Sequence, residues 1–139
     1  MRPGLLAMLL ACAAAGCAAP MPVRPLMGVN PPMSEASRVA LASASRQVRS
    51  CYRMPRVSSE GRLITTRLRV VLAPDGTLGG LPEVVAQTGI NPVNQTFAAR
   101  MAEAAILAVI RCAPYRLPTE FADNGLIEIE LTFSPGAAV

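Results

Sequence analysis

The stretch FAARMAEAAILAVIRCAPYRL, from Phe97 to Leu117, has clear helical periodicity. Its apolar residues recur at steps of three and four and form one stripe, Phe97, Met101, Ala105, Ala108 and Cys112. Pro114 ends this pattern. Because an isolated helix of this length cannot bury its own stripe, we expect it to pack on a small sheet formed by its neighbours.

The segments around this helix predict an α+β domain in the order helix, strand, strand, helix, strand. The range Ser34–Tyr52 predicts a first helix with Ser34 as its N-cap. Apolar and polar residues alternate in Gly61–Leu72 and in Gly125–Phe133, which is typical of half-buried strands. Leu78–Gln87 follows a Pro-Asp-Gly turn and predicts a strand that forms a hairpin with the first. We therefore expect a small three-stranded antiparallel sheet with two helices packed on one face.

The same patterns predict which side chains face the core. The inward residues of the first and last strands are Ile64, Thr66, Leu68, Val70 and Leu72, and Ile127, Ile129, Leu131 and Phe133. Those of the first helix are Ala36, Val39 or Ala40, Val48, and Cys51 or Tyr52. Asn91 and Pro92 suit the start of the main helix, as its cap and in its first turn.

The N-terminal residues predict export and a tether. Residues 1–17 combine one charge at Arg2, an apolar run too short for a stable membrane anchor, and small residues, which is typical of a bacterial signal peptide. Ala14-Ala15-Gly16-Cys17 resembles a lipobox and predicts lipidation of Cys17. Cleavage after Ala13-Ala14-Ala15 or Cys17-Ala18-Ala19 is the alternative, and both place the mature chain outside the cytoplasm.

The rest of the chain divides into a linker and one domain. Residues 18–33 contain five prolines without an apolar period, which predicts an extended tether. Residues 34–139 have the size of a single small domain with one modest core.

The composition argues against most catalytic sites. The sequence has no histidine, which excludes Ser/His and Cys/His designs and most metal sites. An acid–base pair at Glu128 and Glu130 is the enzymatic alternative, but their alternation with apolar residues is typical of a solvated sheet face. The net charge of +4, without a lysine run, is a weak signal for nucleic acid. We expect no enzyme, cofactor, metal, nucleic acid or small-molecule substrate.

Two sequence features bear on covalent modification. Once Cys12 is removed with the signal and Cys17 is lipidated, Cys51 and Cys112 remain, and we expect them to form a structural disulfide. A redox-active pair is the alternative, although it usually requires a C-x-x-C motif or a polar, activating neighbourhood. Asn94-Gln95-Thr96 fits the glycosylation triplet, which we interpret as a chance match at a helix start.

Four motifs occur in a fixed order along the chain, Cys51-Tyr52-Arg53-Met54-Pro55, Leu68–Leu78 with its Pro-Asp-Gly, Arg111–Pro118 and Ile127–Pro135. Together they resemble the C-terminal domain of TolA in its alphaproteobacterial form, within the TonB/TolA C-terminal superfamily. The resemblance covers nearly all of residues 34–139. It implies helices packed on a three-stranded antiparallel sheet and a non-enzymatic role in a cell-envelope complex, where a partner segment pairs with a sheet edge.

The chain departs from this family at two points. Leu126 stands where members of the group usually carry tryptophan. TolA proper begins with an inner-membrane helix and a long helical arm, and this sequence predicts only a signal and a tether. We therefore expect a stand-alone relative in the periplasm, anchored through Cys17. Ala18 after that cysteine favours the outer membrane, by analogy with lipoprotein sorting.

The resemblance leads to two functional hypotheses. The first is a module that binds a Tol-Pal-type or other periplasmic or outer-membrane protein by strand-edge pairing. The second is a structural outer-membrane lipoprotein that acts as an assembly or stability factor. For the first, we predict that the docking edge is the last strand, Leu126, Ile127, Glu128, Ile129, Glu130, Leu131 and Thr132. Coverage of that strand by the chain's own loop is the alternative.

We predict that Cys17 is acylated, because the lipobox places it at the first position of the mature chain. Intact-mass measurement and fractionation should find a lipid mass and membrane association in the native protein, and neither in Cys17→Ser. Recovery of the native protein as a soluble species without lipid mass would contradict this prediction.

Overall fold

The chain folds into two α-helices and an antiparallel sheet. The computed structural model describes residues 33–121, 123–134 and 137–138. In chain order its main elements are α1 (Glu35–Cys51), β1 (Thr65–Leu72), β2 (Glu83–Thr88), α2 (Ala98–Cys112), β3 (Ile127–Ser134) and β4 (Ala137–Ala138). The predicted α+β class and the order helix, strand, strand, helix, strand are confirmed. Cys17, the predicted signal peptide and all of the predicted tether except Met33 lie outside the described residues.

The sheet is built around β1. Its strand order is β2-β1-β3-β4, with every neighbouring pair antiparallel. β1 pairs with β3 without interruption, from Thr66 opposite Phe133 to Leu72 opposite Ile127. β4 adds only two residues, opposite Phe133 and Ser134. The three long strands are the predicted sheet, and β4 is a short addition that the sequence pattern did not indicate.

Alternate residues of β1 and β3 point into the core. The predicted inward residues are confirmed as buried, namely Ile64, Thr66, Leu68, Val70, Leu72, Ile127, Ile129, Leu131 and Phe133. Buried side chains of α1 and α2 join the same core, so both helices cover one face of the sheet. The opposite face stays open to solvent, as expected for an antiparallel sheet covered on one side.

Two predicted strands begin later than expected. Gly61–Leu63 forms a 3₁₀ turn, so β1 begins only at Thr65. The second strand was predicted from Leu78, but β2 begins at Glu83. Pro82 has no backbone N–H to contribute to a ladder, and the glycines before it disfavour extended structure, so pairing becomes regular only beyond them.

α1 begins at the predicted cap. The Ser34 hydroxyl oxygen accepts a hydrogen bond from the Ser37 backbone N–H at 3.0 Å. The buried residues of the helix lie four positions apart, Ala40, Ala44 and Val48. The sequence pattern missed Ala44, whose small side chain lies on the same stripe and allows close packing.

α2 is shorter than the quoted stretch suggested. It begins at Ala98 and buries Met101, Ala105, Ala108, Val109 and Cys112. Phe97 belongs to a preceding 3₁₀ turn and is only partly buried. Asn91 was predicted to cap this helix, but its side chain instead accepts bonds from the backbone N–H groups of Val93 and Asn94 in an earlier turn. The helix therefore begins seven residues after its predicted cap.

Asn94 is a buried polar side chain that connects three segments. It is fully inaccessible to solvent, and its amide nitrogen donates to the carbonyls of Glu60 at 2.9 Å and Gly89 at 2.8 Å. Its side-chain oxygen accepts the Asn91 backbone N–H at 2.7 Å. Because this side chain is buried and fully bonded, the triplet at Asn94 cannot accept a glycan in the folded chain.

We predict that Asn94→Ala destabilises the domain by about 1–3 kcal/mol, because the buried side chain is lost and two carbonyls and one N–H lose their partner. Chemical denaturation should show this as a lower midpoint. The control is Gln95→Ala, since Gln95 is exposed and its side chain has no hydrogen bond to any described residue, and its effect should stay within about 0.5 kcal/mol. Equal stability of the two variants would contradict the connecting role of Asn94.

Candidate partner-binding site

The predicted docking strand lies next to an edge of the sheet. β3 pairs with β1 along its inner side, and on its outer side β4 pairs only with Phe133 and Ser134. From Ile127 to Thr132, no described strand lies on that outer side. Leu126 was predicted to belong to the docking strand, but it precedes β3 and is 66% exposed.

The backbone hydrogen bonds of β1 show its orientation. The Gly79 N–H donates to the Val71 carbonyl at 2.8 Å. The Ala73 N–H donates to the Thr77 carbonyl, also at 2.8 Å. Val71 and Ala73 therefore direct their polar backbone groups away from β3. Since successive residues of a strand alternate in direction, Leu72 directs its own groups toward β3.

The orientation of β3 follows from its register with β1. Leu72 lies opposite Ile127, so these two residues exchange ladder hydrogen bonds. The direction then alternates along β3. The N–H and C=O groups of Glu128, Glu130 and Thr132 consequently point to the outer edge, where no described strand pairs with them. Glu128 and Glu130 could bond an added strand, whereas Thr132 flanks the Phe133–Ala138 pair of β4.

The side chains of the open sheet face form an ion-pair network. Arg69 contacts Glu128 at 3.2 Å and Glu83 at 3.7 Å, and Arg67 contacts Glu130 at 3.6 Å. Three carboxylates against two guanidiniums leave a formal charge of −1 on this cluster. Exposed pairs of this kind contribute about 0–1 kcal/mol each. The pairing also reduces the repulsion that Glu128 and Glu130 would exert on a second copy of the strand.

The opposite sheet edge, β2, is less regular. Its register with β1 shifts between Arg67 and Leu68, which leaves Val85 as an extra residue in a bulge. Gln87 of the same strand is already tied to its neighbours, because its amide nitrogen donates to the Thr66 hydroxyl and the Ala98 carbonyl. β3 is therefore the more regular template for an added strand.

A hydrogen bond joins two of the four quoted motifs, Leu68–Leu78 and Arg111–Pro118. The Tyr115 N–H donates to the Gly76 carbonyl at 2.7 Å. Gly76 has φ of +84°, and a Cβ there would lie 1.8 Å from the Tyr115 carbonyl oxygen, so only glycine fits. The Asp75 carboxylate accepts from the Thr77 hydroxyl at 2.6 Å and its N–H at 3.0 Å, which lowers the pKa of Asp75. The motifs thus form one structural unit.

α1 holds the segment that follows α2. The Gln47 amide nitrogen donates to the carbonyls of Cys112 at 2.7 Å and Pro114 at 3.0 Å. The Gln47 oxygen accepts the Arg116 N–H at 3.0 Å, and the Ser43 hydroxyl donates to the Arg116 carbonyl. The sequence pattern gave no indication of these bonds, because a half-buried glutamine on a helix has no characteristic spacing.

Cys51 and Cys112 form a disulfide in the structure. Their Cα atoms lie 5.7 Å apart, and the bridge links residues 61 positions apart. It joins the last residue of α1 to the last residue of α2. In the chain-entropy description, a bridge of this span contributes about 4 kcal/mol. Such a bridge is characteristic of an oxidising compartment.

Metal ligands, tyrosine hydroxyls and helix length can each be assessed for the described residues. They contain no cluster of three or more histidine, cysteine or acidic side chains able to hold a metal ion. Burial raises the pKa of Tyr52 and of Tyr115, whose hydroxyl donates to the Val109 carbonyl at 2.9 Å, so both phenols are neutral packing groups. No helix in the described part of the chain is long and apolar enough to cross a membrane.

Comparison with protein-family models, curated proteins and solved structures finds no match to the chain. The resemblance to TolA C-terminal domains therefore rests on the quoted motifs alone. The geometry of the β3 edge is an independent observation, because it follows from strand order and register.

We predict that the Cys51–Cys112 disulfide is structural. Non-reducing peptide mapping should recover the two cysteine peptides linked, and Cys51→Ser with Cys112→Ser should lower the free energy of unfolding by up to about 4 kcal/mol. Because both sulfurs are held in the disulfide, the native protein should react with alkylating agents only after reduction. Rapid alkylation of both cysteines without reductant would be inconsistent with this role.

Proposed function

We propose that the chain is a non-enzymatic interaction module of the cell envelope that binds a partner protein at the outer edge of β3. An extended segment of the partner would add to the sheet and bond the outward backbone groups of Glu128 and Glu130. The observation that carries this proposal is the absence of a described strand on that edge between Ile127 and Thr132.

The dimensions of this edge suit a short docking segment. Ile127–Thr132 extends over about 20 Å, at about 3.4 Å per residue. Glu128 and Glu130 each offer one donor and one acceptor, so the edge can hold a partner mainly through its main chain. Specificity would then come from side chains on the two faces of the added strand.

β4 supports the choice of this edge. Ala137 and Ala138 lie opposite Ser134 and Phe133 in an antiparallel ladder, so this side of β3 already accepts a strand. A partner segment would continue the position of β4 along the remaining length of β3. The buried side chains of Ile129 and Leu131 fix the strand beneath it, so that the edge is preformed.

The open face indicates the character of the partner. Arg67 and Arg69 lie beside the carboxylates of β3, and the cluster is close to neutral. A strand with alternating polar residues of either sign could extend this network, whereas an apolar face would leave the charges poorly solvated.

The partner class is inferred from the motif resemblance. TolA-like C-terminal domains imply a Tol-Pal-type partner, and the Cys51–Cys112 bridge is consistent with the periplasm as the site of binding. The lipid at Cys17 would keep the domain at the outer membrane, within reach of proteins in that layer.

We predict that Glu130→Pro abolishes partner capture while the domain stays folded. Proline removes the outward N–H at this position and places its ring at the edge, but it removes no bond to β1. The thermal midpoint should fall by no more than about 8 °C, corresponding to about 1 kcal/mol. Capture is measured by pull-down from periplasmic extract with quantitative mass spectrometry, comparing the variant with the native chain.

Two variants serve as controls. Glu130→Ala loses the same carboxylate and its contact with Arg67 but retains the N–H, so partner capture should persist. Ile129→Pro removes a buried side chain and a donor that points to β1, so it should unfold the domain. The proposal fails if folded Glu130→Pro captures the same partners as the native chain. Size-exclusion chromatography tests whether the partner is a second copy.

A further inference from the structure

A groove at the C-terminal ends of α1 and α2 is lined, within the described part of the chain, by three arginines and no acidic residue. Its volume is about 500 Å³, and the Cys51–Cys112 bridge forms part of its wall. The other side chains that line it are Arg46, Arg111, Arg116, Ser43, Gln47 and Ser50. We refer to this feature as the arginine groove.

The three arginines come from different segments that are tied together. Arg46 lies on α1, Arg111 in the last turn of α2, and Arg116 in the segment that follows α2. The disulfide joins the two helix ends, and Gln47 bonds the backbone on either side of Pro114. The positions from which the guanidiniums extend are therefore fixed before any ligand arrives.

The guanidiniums are the unused polar groups of the groove. Among the described residues, Arg46, Arg111 and Arg116 have no side-chain ion pair or hydrogen bond. The two serine hydroxyls differ, because Ser43 donates to the Arg116 carbonyl and Ser50 donates to the Gln47 carbonyl. The hydrogen-bond donors left in the groove are therefore those of the three guanidiniums, which are all cationic.

The helix ends do not cancel this charge. The C-terminus of each helix carries about half a negative elementary charge, so two ends contribute about −1 against three full positive charges. Some of the terminal carbonyls are also engaged, since the Cys112 carbonyl accepts from Gln47 and the Ile110 carbonyl accepts the Ala113 N–H. The groove retains a clear preference for an anion.

We propose that the arginine groove binds a phosphate group, carried by a small soluble phosphate or by a lipid headgroup. One guanidinium can satisfy both oxygens of a carboxylate, whereas the several oxygens of a phosphate can accept from three guanidiniums that approach from different segments. The groove is open to solvent along α1 and α2, and it makes no use of the β3 edge.

The test compares two triple variants of equal charge. One variant removes the three guanidiniums of the groove through Arg46→Gln, Arg111→Gln and Arg116→Gln. The other removes three arginines elsewhere through Arg38→Gln, Arg62→Gln and Arg100→Gln. All proteins begin at residue 17, after the predicted signal peptide, and carry Cys17→Ser, so that neither the apolar signal nor an acyl chain contributes to membrane binding. Inorganic phosphate is titrated at constant ionic strength and followed by two-dimensional NMR. Vesicles of phosphatidylglycerol, with phosphatidylcholine as reference, are tested by co-sedimentation.

We expect saturable phosphate binding with shifts centred on the arginine groove, weakened at least about tenfold in the groove variant and unchanged in the other. Binding to phosphatidylglycerol alone, with the same dependence, supports a lipid headgroup as the source of the phosphate. Equal loss in both triple variants, shifts elsewhere, or no saturable binding of either probe would overturn the proposal. Circular dichroism checks folding, and Arg111→Gln alone replaces the triple variant if that variant melts early.

Discussion

The pairing of β1 with β3 is the interaction on which the rest of the structure depends. Seven residue pairs run without a bulge from Thr66 opposite Phe133 to Leu72 opposite Ile127. This register places every inward side chain of both strands on one face, where α1 and α2 cover them. A shift by one residue would expose that entire set. The same register determines that Glu128, Glu130 and Thr132 direct their backbone groups outward.

A second constraint acts at the ends of the helices. The Cys51–Cys112 bridge joins their last residues, and Gln47 bonds the chain immediately beyond α2. The Tyr115 N–H then donates to the Gly76 carbonyl, and the Tyr115 hydroxyl donates to the Val109 carbonyl. This sequence of contacts runs from α1 through the end of α2 to the turn after β1. The helices are therefore positioned by specific bonds at one end, in addition to their packing on the sheet.

Sequence patterns predicted the parts of the fold that depend on periodicity. The inward residues of β1 and β3 follow from alternation, and the Ser34 cap follows from its side-chain chemistry. The predicted start of β2 was wrong because the predicted strand included Gly79, Gly80 and Pro82, which precede the regular pairing. The Gln47 contacts were missed because their partners are backbone atoms far away in sequence. The arginine groove could have been suggested once Cys51 was paired with Cys112, since Arg111 is adjacent to that bridge.

The two proposed binding surfaces share one feature, which is that both consist of exposed polar groups with hydrogen-bonding capacity left over. Within the described part of the chain, every buried side-chain nitrogen and oxygen has a hydrogen-bond partner. Unused capacity is therefore found at the surface, as outward backbone groups along β3 and as guanidiniums in the arginine groove. Backbone pairing is short-range and nearly independent of salt, whereas attraction between exposed charges weakens when the Debye length falls from about 10 Å at 0.1 M to about 3 Å at 1 M. A ligand at each surface would thus depend on a different physical force, so the two surfaces can act independently.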